Sequence, residues 1–428
     1  MSDVLAILVF VGAYTLIATE WVHRVVVVLA GAGLMLLFRI VDASDAFSSE
    51  RYGIDWNVIF LLFGMMVIVG VLRHTGLFEY LAIWSAKKAR GRPYQVLALL
   101  IVITGGASAL LDNVTTVLLV APVTVLICER LGVPPVPFLI AEALASNIGG
   151  TATLVGDPPN IIISSESGLS YMDFLINLGP LVLILIGVYI AMARWQFRGA
   201  LGYHPDRVRA VMSLDEREAL VRGPLLPRAL AVLGVVTAGF LLQDALAYEP
   251  SVVALLGAGV LLLVAREDPT VYLREVEWHT LAFFMGLFIM VGALVKVGVM
   301  DDLAQRTIRL VDGNLWLAVV LLLVVSGVVS GIVDNVPYVA TMAPLVTQLV
   351  ASMPGEAVVL WWALAIGADL GGNATSIGAS ANVIVLGLSE RSGRKIRFVE
   401  WLRYGVPVTL VTLAVSLAYL WVRYFLFD

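Results

Sequence analysis

Charged residues are scarce in this 428-residue chain. Only 14% of its residues are Asp, Glu, Lys or Arg, and 60% are hydrophobic, whereas a soluble domain carries about 25% charged residues. Apolar stretches long enough to cross a bilayer, which takes about 20 residues per helix, recur from one end of the chain to the other. This composition excludes a soluble globular protein and gives no sign of nucleic-acid binding. It predicts an all-α polytopic membrane protein surrounded by a lipid bilayer.

Cysteine and histidine are also scarce. The single cysteine, Cys128, excludes an internal disulfide and a cysteine-based metal site, and the four histidines have no zinc spacing. No loop carries a nucleophile–base pair, so we expect neither an enzyme nor a resident cofactor. Only Met-Ser-Asp precedes the first apolar run, without a basic segment. We therefore expect this run to be the first membrane span rather than a cleaved signal peptide.

The chain contains one unit twice. After a shift of 222 residues, 55–82 align with 277–304, and NIGGTATLVGDPPN (147–160) aligns with DLGGNATSIGASAN (369–382). Between residues 112 and 161, 15 of 50 aligned positions are identical. Both halves are rich in alanine, glycine and valine, so the unbroken register over roughly a hundred residues is the stronger evidence. We predict repeat one at residues 1–195, a polar linker at 196–227 and repeat two at 228–428.

Two apolar runs in each half are interrupted by polar residues. Asp-Asn divides the runs at 94–129 and 315–350, which predicts either two crossings or a re-entrant hairpin with Asp-Asn at its tip. Gly-Gly and a second polar group divide the runs at 136–163 and 357–389, which predicts broken helices. A bilayer tolerates such breaks only where protein or water satisfies the released backbone groups.

The positions of the basic residues favour the hairpins. With five crossings and one hairpin per repeat, the loops on one side carry 21 of the 27 Lys and Arg residues. The positive-inside rule assigns that side to the cytoplasm. We therefore expect two inverted repeats with about ten transmembrane helices, two re-entrant hairpins and two broken helices. The N-terminus would lie outside and the linker in the cytoplasm, most simply in a bacterial inner membrane.

Inverted repeats with interrupted helices are typical of secondary transporters, which bind their ligands near the bilayer midplane where the repeats meet. Helix N-termini there suit anions, and amide, hydroxyl and carbonyl oxygens suit a hard cation such as Na⁺. The candidate ligands are therefore the polar residues of the hairpin tips and breaks, with adjacent glycines as hinges. In repeat one they are Asp112, Asn113, Thr115, Thr116, Asn147, Gly149, Gly150, Thr151, Thr153, Gly156, Asp157 and Asn160. In repeat two they are Asp334, Asn335, Asp369, Gly371, Gly372, Asn373, Thr375, Ser376, Gly378, Ser380 and Asn382.

The acidic residues allow two interpretations. Asp112 and Asp334 either bind the coupling ion, H⁺ or Na⁺, as carboxylates at membrane depth often do, or cap the second helix of each hairpin. Glu142 either relays protons or faces a polar crevice. The repeats also differ where asymmetric ion binding requires it, because Asp157 aligns with Ala379.

The motifs LLDNVTTVLLVAPV, NIGGTATLVGDPPNIII and LGGNATSIGASANVI resemble the arsenite permease and sodium–proton antiporter branch of the ion transporter superfamily. That branch also contains the melanosomal P protein. The resemblance covers nearly the whole chain and implies a homodimer with elevator-like motion of a transport domain. More distant dicarboxylate carriers have Ser-Asn-Thr at the hairpin tips, whereas this chain has Asp-Asn-Val. The anionic tips argue against a dianion and favour H⁺, Na⁺ or a neutral hydroxide.

These observations predict a secondary active transporter, in the first place for proton-coupled efflux of arsenite and antimonite by alternating access, with or without an accessory ATPase. The alternative is a Na⁺/H⁺ antiporter, or a Na⁺- or H⁺-coupled carrier of a carboxylate-like anion, with the same fold. A passive channel or a membrane scaffold is less favoured, because alternating access explains why the unit occurs twice.

Overall fold

The computed structural model describes residues 2–19, 21–49, 51–203, 205–221 and 223–426. These residues form α-helices, two short 3₁₀ helices and no strand, which confirms the all-α fold. The first half contains α1 (Ser2–Ala18), α2 (Arg24–Leu37), α3 (Ala43–Ser48), α4 (Trp56–Arg73), α5 (Leu77–Lys88), α6 (Pro93–Ser108), α7 (Asn113–Leu131), α8 (Val136–Gly150), α9 (Pro158–Ser167) and α10 (Tyr171–Gln196). The linker contains α11 (Pro205–Met212) and a 3₁₀ helix (Glu216–Ala219).

The same helix order recurs in the second half. It comprises α12 (Leu225–Leu241), α13 (Gln243–Leu246), α14 (Pro250–Ala265), α15 (Pro269–Leu273), α16 (Trp278–Lys296), α17 (Val299–Val311), α18 (Leu315–Ser330), α19 (Asn335–Ser352), α20 (Val359–Gly371), a 3₁₀ helix (Gly372–Ala374), α21 (Ser380–Arg391) and α22 (Phe398–Tyr424).

Five of the described helices are long and apolar enough to cross a membrane singly: α4, α7, α10, α16 and α22. The helices α17 and α18 would form a sixth span together, but they meet at 119°. Six further apolar helices have 10–17 residues, namely α1, α2, α6, α8, α12 and α14. The ten crossings expected from the sequence therefore require these shorter helices, and the count stays a prediction, as does the orientation of the repeats.

Each divided run forms a helical hairpin with its aspartate at the tip. The helices α6 and α7 are joined at residues 109–112, and Asp112 Oδ1 accepts a hydrogen bond from Thr115 N at 2.7 Å. The helices α18 and α19 are joined at residues 331–334, and Asp334 Oδ1 accepts from Val336 N at 3.1 Å. Both aspartates thus cap the helix that follows, because a carboxylate satisfies the free N–H groups of the first turn. One oxygen of each remains for other contacts.

Glycines allow each hairpin to cross its broken helix at backbone distance. A Cβ added at Gly149 of α8 would lie 2.1 Å from the carbonyl oxygen of Gly105 in α6. The equivalent Cβ at Gly371 of α20 would lie 2.6 Å from the carbonyl oxygen of Gly327 in α18. Small residues permit such close packing of membrane helices. The structure therefore gives these glycines a steric role, in addition to the hinge role expected from the sequence.

The linker packs against the first half rather than extending away from it. Val221 N donates to Thr75 O at 3.1 Å, and Lys87 of α5 is hydrogen bonded to Glu216. The Lys87 side chain lowers the pKa of the Glu216 carboxyl group below its ordinary value. These contacts join the linker to the end of α4 and to α5.

Candidate functional site

Both hairpin tips meet at the carboxylate of Asp157, directly before α9. Asn113 Nδ2 of tip one donates to Asp157 Oδ2 at 2.6 Å, and Asn335 Nδ2 of tip two donates to the same oxygen at 3.3 Å. All three side chains are buried, with at most 3% of their surface exposed. The first break therefore supplies an acidic group to which both halves of the chain donate.

Asn147 connects the two breaks. Its Nδ2 donates to Asn373 Oδ1 at 2.9 Å and to Asn382 Oδ1 at 3.3 Å, both in the second half. Its Oδ1 accepts from Asn113 Nδ2 at 3.1 Å. Since one amide bridges both breaks and one tip, the residues that the repeat alignment singled out form one continuous cluster. We call Asn113, Asn147, Asp157, Asn160, Asn335, Asp369, Asn373 and Asn382 the central cluster.

In each break, one asparagine side chain donates hydrogen bonds to backbone carbonyl groups. Asn160 Nδ2 donates to the carbonyl oxygens of Gly150 and Thr153, at 3.2 and 3.0 Å. Its counterpart, Asn382 Nδ2, donates to those of Gly372 and Thr375, each at 2.9 Å. These bonds satisfy carbonyl groups that the interrupted helices would otherwise leave unpaired.

Thr153 and Thr375 each connect a break to a hairpin by a hydrogen bond. Thr153 Oγ1 donates to Ala109 O, and Thr375 Oγ1 donates to Gly331 O, each at 2.6 Å. Each acceptor lies in the turn of the hairpin from the same half. Tip and break are thus fixed to each other in both halves.

Several buried oxygens of the central cluster have no hydrogen-bond partner among the described residues. They are Asp157 Oδ1, Asn160 Oδ1 and both carboxylate oxygens of Asp369. Asp369 is fully buried, interacts electrostatically with Asp157, and has the side chains of Thr151 and Asn160 close by. Burying two neighbouring carboxylates without a counter-charge is very unfavourable. This arrangement calls for a bound proton or a small cation ligated by oxygens.

The other predicted residues have separate places. Thr115 Oγ1 donates to Asp112 Oδ2 at 2.6 Å, so it belongs to the cap of α7. Thr116 and Ser376 are buried, and the Thr116 hydroxyl has no partner in the described part of the chain. Thr124 donates to one oxygen of Glu142, and the other oxygen has no partner among the described residues.

The remaining glycines allow the backbone to pass close to itself across each break. A Cβ at Gly156 would lie 2.4 Å from Gly150 O, and one at Gly378 would lie 2.7 Å from Gly372 O. Side chains at these four positions would therefore push the two sides of each break apart.

A cavity of about 480 Å³ adjoins the central cluster, a volume typical of small-molecule sites. Both tips and both breaks contribute to its lining, through Asp112, Asp157, Asp334 and Ser380 among others. Glu277, at the start of α16, adds a fourth carboxylate that interacts electrostatically with Asp112.

The lining of this cavity also contains basic residues that no sequence motif indicated. Arg24 and His23, at the start of α2, and His279, near the start of α16, all line the cavity. Arg24 and His23 act electrostatically on His279, so the three groups are close together. In the sequence Arg24 counted only as one of the cytoplasmic charges, and no motif links it to the tips. Only the packing of α2 and α16 places it there.

Comparisons with known proteins agree with this architecture. A family model described as citrate transporter matches residues 14–367. An uncharacterised transporter of Mycobacterium tuberculosis is 53% identical over 428 residues, which cover all of both chains. The P protein of Mus musculus is 32% identical over 500 residues, covering 97% of this chain and 59% of that protein. The predicted similarity to the P protein is thereby confirmed.

Two solved structures share the fold. The YdaH transporter of Alcanivorax borkumensis superposes with a TM-score of 0.59, covering 98% of both chains at 15% identity. MtrF of Neisseria gonorrhoeae, described as illuminating a class of antimetabolite efflux pumps, superposes with a TM-score of 0.63, covering 100% of this chain and 96% of MtrF at 13% identity. At these identities the likeness concerns the fold alone.

Proposed function

The chain belongs to the citrate transporter family and is a secondary transporter, and we propose that it couples transport to H⁺ or Na⁺ bound in the central cluster. One observation carries this proposal: both tips donate to the buried carboxylate of Asp157, and beside it Asp157 Oδ1, Asn160 Oδ1 and both oxygens of Asp369 have no hydrogen-bond partner among the described residues. Oxygens of this kind are the ligands that hard cations prefer. A proton on either carboxylate would meet the same requirement for charge compensation.

The position of the cavity supports alternating access. Its lining includes Val22, His23 and Arg24, from a loop on the side rich in Lys and Arg, which the positive-inside rule assigns to the cytoplasm. On the other side Ser165 of α9 is hydrogen bonded to Asp55, at the start of α4. We therefore interpret this conformation as inward-facing. An elevator-type movement of hairpins and broken helices against the other helices would expose the cluster outside, and a homodimer would provide a fixed scaffold.

Two classes of solute remain, and a different observation favours each. Arsenite and antimonite, as neutral hydroxides, suit a cavity lined by four carboxylates, so proton-coupled efflux remains a proposal. A carboxylate solute is favoured by the family description and by Arg24, His23 and His279 in the cavity lining. Cation binding in the central cluster serves both solutes, and it is therefore the part of the function that the geometry supports best.

The coupling ion can be tested by thermal denaturation of the purified full-length protein in detergent. We expect NaCl to raise the transition temperature relative to choline chloride if Na⁺ is coupled, because a ligand that binds only the folded state stabilises it by about 2.7 kcal/mol at 100 times its Kd. If H⁺ is coupled, the transition temperature should depend on pH instead. Asp157→Asn should abolish the Na⁺ response or reduce the pH response, whereas Asp301→Asn, at an exposed position on α17, should retain it. An Asp157→Asn variant with the full response of the wild type would refute cation binding in the central cluster.

The solute can be tested in proteoliposomes with an imposed H⁺ or Na⁺ gradient. Gradient-driven accumulation of arsenite or antimonite, with no effect of citrate, would support efflux of the neutral hydroxides. Accumulation of citrate would support the carboxylate carrier. Flux that does not respond to either gradient would exclude coupling altogether.

A further inference from the structure

Arg24 is the only Lys or Arg residue that lines the cavity in the part of the chain that the structure describes. It stands at the first position of α2, outside both hairpins and both breaks, and directly contacts Asp334 of tip two. Its guanidinium lies 5.4 Å from the ring centre of Phe283 in α16. About a third of its side chain, 32%, is exposed, against 13% for Asp334. Arg24 is therefore accessible to a solute in the cavity.

The present partners of Arg24 belong to the second half. Its Nη1 donates to Asp334 Oδ2 at 3.1 Å and to Ser380 Oγ at 3.2 Å, and Ser380 Oγ donates to Asp334 Oδ2 at 2.9 Å. Every hydrogen bond of the guanidinium to a described residue comes from this one nitrogen. A guanidinium has five N–H donors arranged to bind a carboxylate through two parallel hydrogen bonds. The contact with Asp334 leaves most of that capacity unused.

The two tips differ in the donors that reach the second oxygen of the aspartate. In tip one, Thr115 donates to the second oxygen of Asp112 at 2.6 Å. The residue at the aligned position in tip two is Pro337, which has no side-chain donor. Asp334 still caps α19 through Oδ1, so its Oδ2 is free to exchange partners. Arg24 and Ser380 occupy that oxygen in this conformation.

We propose that Arg24 binds a carboxylate group of the transported solute, and that Arg24 forms an ion pair with Asp334 when the cavity is empty. The inference rests on the carboxylate candidate within the proposed function and identifies its solute class. Binding exchanges one ion pair for another, so the guanidinium does not lose its counter-charge at any stage. The released Asp334 then faces the cavity beside Asp157 and adds to the acidic wall, where the coupling cation would compensate it.

The exchange predicts that substitutions of Arg24 and Asp334 have opposite effects on the affinity for carboxylates. Arg24→Gln removes the receptor and should weaken carboxylate binding on the order of tenfold or more, the range expected for a hydrogen bond to a charged group. Asp334→Asn removes the competitor but keeps a side-chain oxygen that can cap α19, and should strengthen carboxylate binding several-fold. A contact of purely structural importance would lower binding in both variants.

Binding can be measured as stabilisation of the purified full-length protein by citrate, succinate, inorganic phosphate or arsenite. Arg198→Gln, at an exposed position, is the matched control, and Arg24→Lys keeps the charge if Arg24→Gln does not fold. We expect citrate or succinate to stabilise wild type, Arg198→Gln and, more weakly, Arg24→Lys. Weaker citrate and succinate binding in Asp334→Asn than in wild type would overturn the exchange. So would stabilisation by phosphate or arsenite alone, or carboxylate binding unaffected by either substitution at Arg24.

The two proposals fail in different ways. If wild type responds to Na⁺ or to pH through Asp157 but to neither carboxylate, the role of Arg24 is wrong and cation coupling stands. If carboxylates bind through Arg24 but no cation response depends on Asp157, the coupling site is wrong and the solute site stands.

Discussion

Replacing Gly149 by alanine tests whether the crossing of α6 and α8 positions the central cluster. The new Cβ would lie 2.1 Å from the carbonyl oxygen of Gly105 and 2.5 Å from its Cα atom. Ordinary van der Waals contact begins near 3.4 Å, so the two helices would have to separate by about 1.3 Å (3.4 minus 2.1). Both groups that clash belong to helix backbones, and no side-chain rotation can relieve the contact.

The magnitude follows from two opposing effects. Overpacking of this kind costs about 1–3 kcal/mol and sometimes more, and a clash between two backbones belongs at the upper end. Alanine gains about 1 kcal/mol over glycine in a helix, which leaves a net loss of roughly 2 kcal/mol. Gly106→Ala is the matched control, because Gly106 is exposed on α6 and a Cβ there would have no neighbour within 4 Å. We expect this control to be neutral or stabilising.

Thermal denaturation of the purified protein, with and without NaCl, measures both consequences. Asn147 precedes Gly149 by two residues, and its 3.1 Å bond to Asn113 links α8 to tip one. A displacement of more than 1 Å would break that bond, so Gly149→Ala should lose cation-dependent stabilisation as well as stability. If Gly149→Ala were as stable as Gly106→Ala and kept the cation response, the close crossing would not be what holds the cluster together.

Three further predictions concern other parts of the molecule. Glu142→Gln should retain Na⁺-dependent stabilisation but change the pH profile of solute flux in proteoliposomes, and an unchanged profile would argue against a proton relay. Because Lys87 lowers the pKa of Glu216 from 4.5, their ion pair should persist at neutral pH and be lost as the pH falls through the lowered value. At neutral pH, the linker of Lys87→Met should therefore be as sensitive to protease as the linker of the acidified wild type. If Lys87→Met and wild type were equally sensitive at neutral pH, this prediction would be contradicted. If the contact between Ser165 and Asp55 closes the outer side, adding Asp55→Ala to a Ser165→Cys variant should speed the reaction of the cysteine with an impermeant maleimide applied from outside, whereas an unaltered rate would exclude such a closure.

The residues of the central cluster were predictable because the chain repeats itself. The register of 222 residues identified both tips and both breaks, and polar residues at these depths are unfavourable unless they have partners. The register could not give the partners. Asn147 donates to Asn373 and Asn382 rather than to residues of its own break, since the two halves interlock at the centre.

The two contacts that each tip aspartate makes could be identified only from the structure. From the sequence, Asp112 was either a helix cap or an ion ligand, and the geometry shows that one oxygen caps the helix while the other makes a different contact in each tip. At Asp112 this contact is Thr115, three residues along the same chain. At Asp334 it is Arg24, 310 residues away, and no local pattern could have indicated it.

By itself, the sequence determined the helical membrane fold, the order of the helices and the residues that interrupt them, because hydrophobicity, glycine and proline act over one or two helical turns. The tertiary structure decided which interruptions meet and what charge faces them. It places Arg24, His23 and His279 in the same cavity lining as the acidic tips, through the packing of α2 and α16. The physical reason is that the sign and strength of an electrostatic site depend on distances between helices, and these are fixed only when the two halves pack together.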